Sequence, residues 1–273
     1  MTNPFKDKVA VVTGAASGIG RAISNELVRM GATVIAADIN LEGAKETASS
    51  IAEMGAKTAA KKVDVTKHDQ VKQLIADVVK EQGRLDYIFN NAGIAFLGET
   101  RDMDISQWRQ IIDVNMMGVL YGTLEAYPVM IKQGSGHIVN TASLAGLVPV
   151  PTETAYVTTK FAVVGLSASL RSEAKGLGVK VSVVCPGFVD TAIIRGFIPV
   201  NIRKEDHLKK MPRMMDVNKA ARKILKRVRR NRSIILIGTD AHIIYFLQRY
   251  VPFVLNPLYL MMVKFLRTTR IED

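Results

Sequence analysis

Residues 9–20 read VAVVTGAASGIG. Val9–Val12 is short, β-branched and apolar, as a strand buried on both faces of a parallel sheet must be. It runs through Thr13 into Gly14, Gly18 and Gly20, after which Ala22, Ile23, Leu27 and Met30 recur at helical spacing until Gly31. Strand, glycine loop and helix, in that order, make a phosphate-binding arrangement. The glycines permit a tight turn and close backbone approach, and the helix N-terminus points at an anion. The spacing is GxxxGxG rather than GxGxxG, and without a ligand the same glycines would make only a tight strand–helix turn.

A second strand, 33–37, ends in Asp38. An acid there, about twenty residues past the glycines, can accept hydrogen bonds from adenosine ribose hydroxyls and would repel a 2′-phosphate. No arginine stands in the glycine loop or beside Asp38, so NAD is expected in preference to NADP. The competing reading is that Asp38 or Asn40 simply caps the helix starting near Leu41. The alternation continues with strands near 60–65, 85–90, 137–142, 179–185 and 233–238, and helices near 71–79, 104–131, 154–175 and 217–230. Repeated βα units predict an α/β fold, a single Rossmann-type doubly wound parallel sheet with helices on both faces. Ligands bind at the C-terminal ends of such strands. The glycine loop, Asp38, Asp64, Asn91, Ser143 and Gly187 all fall there.

Residues 143–160 read SLAGLVPVPTETAYVTTK. On a helix, Tyr156 and Lys160 share a face about 5–6 Å apart. A free phenol with a pKa near ~10 is a poor acid or base at neutral pH. A close ammonium stabilises the phenolate and is expected to lower that value. Ser143, from an upstream loop, can hold a substrate oxygen against the phenol.

The 273 residues suit one large α/β domain with ample apolar material for a core. The single Cys185, in the apolar run VSVVC, excludes an internal disulfide and reads as a small buried hydrophobe in a reducing compartment. Four scattered histidines give no metal site. The N-terminus lacks a cleavable signal pattern, so a cytoplasmic protein is expected. Net charge is +12, but residues 201–273 hold 17 Lys+Arg against 6 Asp+Glu, so the basic excess belongs to the C-terminal quarter.

The set TGAASGIG at 13–20, Asp38, Asp64-Val65, NNAG at 90–93, Asn115, Ser143, Tyr156-x-x-x-Lys160 and PGFVDT at 186–191 resembles the short-chain dehydrogenase/reductase family in order and spacing. The resemblance implies NAD(P)-linked exchange of hydride between an alcohol and a ketone. It implies Tyr156 as general acid/base, Ser143 as the group orienting the substrate oxygen, and Lys160 on the nicotinamide ribose. Asn115 would distort its helix and hold a water in a proton relay to Lys160. Gly14, Ser17, Gly18, Ile19 and Gly20 would line the pyrophosphate side, Asp38 the adenosine ribose, and Asp64 and Val65 the adenine. Asn91 and Gly93 would lie along the cofactor, with Val189 and Thr191 near the nicotinamide amide. The long helices 104–131 and 154–175 resemble those of the family's dimer interface, which implies a homodimer or homotetramer.

The family carries a lid where this chain has 192–216. Phe96, Leu144, Phe188, Ile194 and Phe197 are candidate pocket residues that would favour a lipophilic alcohol or ketone: steroid-, retinoid- or fatty-alcohol-like. A small polar hydroxy compound or acyl thioester is the alternative with the same chemistry. A non-catalytic NAD(H) sensor or scaffold is the alternative of another class, disfavoured because a pure binder has no use for the phenol. Residues 1–240 are expected to form the cofactor-binding and catalytic domain, and 241–273 an apolar, basic helical extension. Arg249, Pro252, Pro257 and Lys264 interrupt that extension, so it makes no ordinary transmembrane helix. It suits peripheral attachment to an anionic membrane, or packing on the core or a partner subunit. The basic helix 217–230 lacks interleaved aromatics, so nucleic acid is not expected.

Overall fold

The computed structural model describes residues 3–52 and 57–271; the outermost residues of both expected units lie outside that range. The first half of the chain forms β1 (Val9–Thr13), α1 (Gly18–Arg29), β2 (Thr33–Asp38), α2 (Leu41–Ala52), β3 (Thr58–Lys62), α3 (His68–Gln82), β4 (Tyr87–Asn90) and β5 (Phe96–Leu97). There follow α4 (Ile105–Ile112), a π-helical turn at Asp113–Met117, α5 (Gly118–Gln133), β6 (Gly136–Thr141), α6 (Thr154–Glu173) and β7 (Val179–Pro186). The last part contains α7 (Ala192–Arg195), β8 (Ile198–Pro199), α8 (Lys204–Lys209), α9 (Val217–Val228), β9 (Ile234–Ile237), α10 (Thr239–Tyr250) and α11 (Asn256–Thr268).

Seven parallel strands run in the order β3-β2-β1-β4-β6-β7-β9. The chain builds outward from β1 in one direction and restarts at β4 on its other side, so the switch point lies between β1 and β4. In such sheets that crevice takes the ligand.

Strand β1 shows why its residues specify the fold. Ala10 and Val12 pack in the layer of α1 and α9, while Val9 and Val11 pack in the layer of α3, α5 and α6. Both faces are buried, so both parities of the strand must be apolar. In α9, Ala220, Ala221, Ile224, Leu225 and Val228 form the buried stripe, and truncating a large core side chain of this kind costs about 2–5 kcal/mol.

The sequence pattern misplaced two boundaries. The third strand ends at Lys62, because Asp64 Oδ1 accepts from the Thr66 amide at 3.0 Å and hydroxyl at 2.8 Å, turning the chain out of the sheet. The expected helix 104–131 is broken by the π turn at Asp113–Met117.

The extension folds back on the domain. Ala241 is buried with Leu144 and Val148, and Leu266 with Phe197 and Ile202. Among the described residues, no helix is long and apolar enough to cross a membrane.

Candidate active site

The glycine loop is shaped by what a side chain would hit. Gly14 has φ +66°, and a Cβ there would come within 2.8 Å of Ala92 Cα; at Gly20 a Cβ would collide with the Gly14 carbonyl. Thr13 Oγ1 ties this loop to the turn after β4 by accepting from the amides of Asn91 at 2.9 Å and Ala92 at 3.2 Å. Across the crevice, Gly18 lies 3.5 Å, measured from its ideal Cβ, from the side chain of buried Thr191. Ser17 precedes α1 without making a capping bond. Asp38 Oδ2 accepts from the Ala16 amide and Oδ1 from the Asn40 amide, both at 2.9 Å. Its carboxylate is therefore fixed at the loop's edge rather than used only as a cap. Side-chain-free backbone, a helix N-terminus with an unused hydroxyl and a fixed acid fit the phosphates and ribose of a dinucleotide. Asp64 and Val65 follow β3; Gly118 packs on Val65, where a Cβ would come 2.8 Å from Val65 Cγ2. Val189 is buried and bridges to Met215, which ties the loop after β7 to the far side of the lid. Among the described residues no cluster of three His, Cys, Asp or Glu could hold a metal ion.

The π turn exists where Asn115 needs it. Asn115 is fully buried; its Oδ1 accepts from the Ile94 amide at 2.8 Å and its Nδ2 donates to the Ile94 carbonyl at 2.9 Å. Nδ2 also donates to Thr159 Oγ1, on α6, at 3.3 Å. A single asparagine thus satisfies both backbone groups of a residue in the loop between β4 and β5 and reaches the helix that carries Tyr156 and Lys160. Gly93 closes the group: a Cβ there would lie 3.1 Å from Asn115 Oδ1 and 3.6 Å from Lys160 Nζ.

Tyr156 and Lys160 stand on the first turns of α6, and the Ser143 hydroxyl lies near enough to the phenol to favour its ionised form. Lys160 is buried, its Nζ 5.4 Å from the centre of the Tyr156 ring and donating to the Thr141 carbonyl at 3.1 Å. The ammonium sits over the ring rather than at its oxygen. The electrostatic balance therefore differs from the sequence expectation. Burial pushes the Tyr156 pKa up, the Ser143 hydroxyl opposes it, and the Glu153 charge adds to the rise. Burial lowers the Lys160 pKa to about 8. Behind the lysine, burial raises the Cys185 thiol to about 12, which leaves it neutral packing material as expected.

Sequence reasoning passed over Glu153. It precedes α6, three positions before Tyr156, and so shares a helical face with the phenol. Among the described residues no hydrogen bond or ion pair engages its carboxyl, and burial raises its pKa to about 7. The residue before it, Thr152, is buried with φ +71° and is held there by the Gly98 amide, which donates to its carbonyl at 2.9 Å. Strain of this kind costs about 1–3 kcal/mol and collects at functional sites. The signal was present: an acid one helical turn ahead of a reactive tyrosine.

The candidate pocket residues divide. Phe96 and Phe197 are consumed in packing beneath the lid, and Leu144 packs on Ala241. Ile194 is half-buried and Phe188 exposed. The lid is stitched down by a two-stranded parallel sheet, with Phe96 opposite Ile198 and Leu97 opposite Pro199. It is clamped from outside by the C-terminus. The Arg203 amide donates to the Thr269 carbonyl at 2.9 Å. Arg267 reaches Glu99 at 2.8 Å, and half-buried Arg270 reaches Asp102 at 2.5 Å and Glu99 at 3.4 Å.

A family model described as short chain dehydrogenase matches residues 8–199. The chain belongs to the short-chain dehydrogenase family. A cyclohexanol dehydrogenase of Acinetobacter sp. (strain SE19) is 38% identical over 200 residues, covering 72% of this chain and 79% of that protein. An uncharacterized oxidoreductase of Staphylococcus aureus (strain MRSA252) is 39% identical over 198 residues, covering 72% and 85%. Among solved structures, a short-chain dehydrogenase/reductase of Burkholderia phymatum in complex with NAD superposes with a TM-score of 0.85 at 28% identity, covering 93% of this chain and 96% of its own. Levodione reductase superposes with a TM-score of 0.80 at 25% identity, covering 87% and 99%. The family assignment makes this protein a nicotinamide-dependent oxidoreductase that interconverts secondary alcohols and ketones.

Proposed function

We propose that this dehydrogenase oxidises lipophilic secondary alcohols with NAD, reversibly, through Ser143, Tyr156, Lys160 and Asn115. The observation that carries the reading is the convergence of Asn115 and Lys160 on Gly93, with the Tyr156 ring beside Lys160 and Ser143 next to the phenol, at the crevice where the glycine loop and Asp38 also stand. A bound nicotinamide supplies the hydride acceptor for oxidation and the donor for reduction. In oxidation, Ser143 Oγ holds the substrate oxygen while Tyr156 Oη takes its proton. In reduction Tyr156 returns that proton to the new alkoxide. Lys160 contributes positive charge beside the phenol and a donor for a ribose hydroxyl. Asn115 fixes the backbone of Ile94 and the face of α6 against which these groups are aligned.

Asp38 supports NAD over NADP, since a fixed carboxylate accepts from ribose hydroxyls and repels a 2′-phosphate. The apolar packing around Tyr156, with Phe96, Trp108 and Ile198, supports a lipophilic substrate. Glu153 favours a second reading, in which the substrate carries an additional hydroxyl or amino donor that this carboxylate binds. We assign 1–240 the cofactor and catalytic machinery and 241–273 a surface attached to the lid. A homodimer through α5 and α6 is supported by their exposed Leu124 and Phe161.

The test is a panel of secondary alcohols (cyclohexanol, long-chain alkan-2-ols, diols) with NAD and NADP in parallel. The ratio kcat/KM should rise with apolar chain length and be higher with NAD. A preference for NADP would overturn the role of Asp38, and a preference for short diols would favour the Glu153 reading.

A further inference from the structure

The exposed apolar surface of this molecule is concentrated in one place. Of the eighteen large hydrophobic residues exposed among the described residues, eight lie between 243 and 261. On α10 these include Ile243, Phe246 and Tyr250, exposed by 55, 58 and 69%, with the last two rings 4.9 Å apart. Phe253, at 68%, stands in the short turn between the helices, and Leu260 and Met261, at 62 and 59%, on α11. Patches of this kind on a folded protein mark a contact surface.

The charge that this segment itself carries is of one sign. No Asp or Glu occurs from 241 to 271. His242, Phe246, Arg249 and Tyr250 follow one another at spacings of four, three and one on the same side of α10. His242 leads into a groove lined also by Arg227, Arg230 and Arg232. Its Nδ1 is held by the Gly238 carbonyl at 2.6 Å, which leaves Nε2 facing Arg227 at 3.5 Å. None of Arg227, Arg230, Arg232 and Arg249 forms an ion pair among the described residues. A groove of three arginines continuing into an aromatic stripe presents phosphate-binding donors beside an insertion face.

We propose that the α10–α11 hairpin docks this enzyme on a membrane bearing anionic phospholipids, with the arginine groove on headgroup phosphates and the aromatic stripe at the acyl boundary. A second copy fits less well. A two-fold contact sets the same patch against itself, and this patch has cations and no acids to meet them. The same hairpin holds the lid through Leu266, Arg267 and Arg270. Docking therefore sets the lid, and the site beneath it, at the bilayer surface. That last consequence rests on the lipophilic-substrate reading; the docking itself does not.

The test is flotation of the full-length protein with vesicles of phosphatidylcholine alone and of phosphatidylcholine with phosphatidylglycerol, at low and high salt. Recovery with the anionic vesicles alone, falling as salt rises, is expected. Arg230→Glu/Arg232→Glu should weaken partitioning by at least about 25-fold, since each basic residue near such a surface contributes about fivefold. Phe246→Ser/Phe253→Ser should lose binding. Both variants should oxidise a water-soluble alcohol at the unaltered rate, which reports correct folding. No flotation, or equal flotation on neutral vesicles, overturns the proposal. So does a serine variant that halves the particle mass in solution while wild type fails to float, since a second copy then covers the face. With flotation established, equal turnover of a long-chain alcohol in vesicles and in detergent would count against the lipophilic reading and leave docking standing.

Discussion

Lys160 Nζ lies over the ring of Tyr156, 5.4 Å from its centre, and not at the phenol oxygen. Its hydrogen bond to the Thr141 carbonyl anchors it at the end of β6, beside Gly93 and Asn115. In the proposed mechanism a lysine so placed would serve two partners at once: the phenol, through charge, and a ribose hydroxyl, through a donor.

Replacing it should therefore harm two measurable quantities. Lys160→Met is expected to lower kcat by about 10²–10⁴-fold, the usual range for a lost proton-transfer contribution, and to raise the NADH dissociation constant as well. Stopped-flow turnover with fluorescence titration of NADH separates the two. Tight NADH binding by this variant would remove the ribose role.

Glu153→Gln should stabilise the protein in a pH-dependent way. The carboxyl protonates at about 7 in the fold against 4.5 in the unfolded chain. Between those values the folded state binds more protons, so stability falls as pH rises through this window and the penalty is complete above it. Glutamine removes that penalty. With a discount for the part of Glu153 open to the cleft, the gain is about 1–2 kcal/mol at pH 8, or about 2–6 °C in melting temperature, shrinking toward pH 5. The same change removes a negative charge beside Tyr156, so the pH limb for alcohol oxidation should move down. Equal gains at both pH values would contradict this.

Arg270→Ala should loosen the lid. It leaves the Asp102 carboxylate, and part of Glu99, without its half-buried cation, and leaving a partly enclosed charged group short of a partner costs about 1–3 kcal/mol. A lower melting temperature and a higher KM for the alcohol are expected, with little change in NADH binding. An unaltered KM would show that the clamp does not govern the substrate side.

The parallel sheet and its switch point were legible because β1 must be apolar on both faces, and the glycines because only backbone fits at Gly14 and Gly20. Asn115 was identified through its place in a familiar set of motifs, and the π turn at 113–117 is the physical reason that it occurs there. The pKa of Tyr156 was misjudged. Helical spacing gives the Lys160–Tyr156 distance but not that the ammonium turns to Thr141, nor how deeply both are enclosed. The clamp of Arg267 and Arg270 on Glu99 and Asp102 was illegible, since it joins residues about 170 positions apart without a periodic signal. For the same reason Phe197 looked like pocket lining and proved to be packing against Leu266.

The central claim is that Tyr156 moves the substrate proton. NADH formation from cyclohexanol at saturating NAD, measured for wild type and Tyr156→Phe alongside NADH binding, tests it most directly. Turnover should fall by about 10²–10⁴-fold while the NADH dissociation constant changes little, because only a hydroxyl is lost. Turnover within a few-fold of wild type would contradict it.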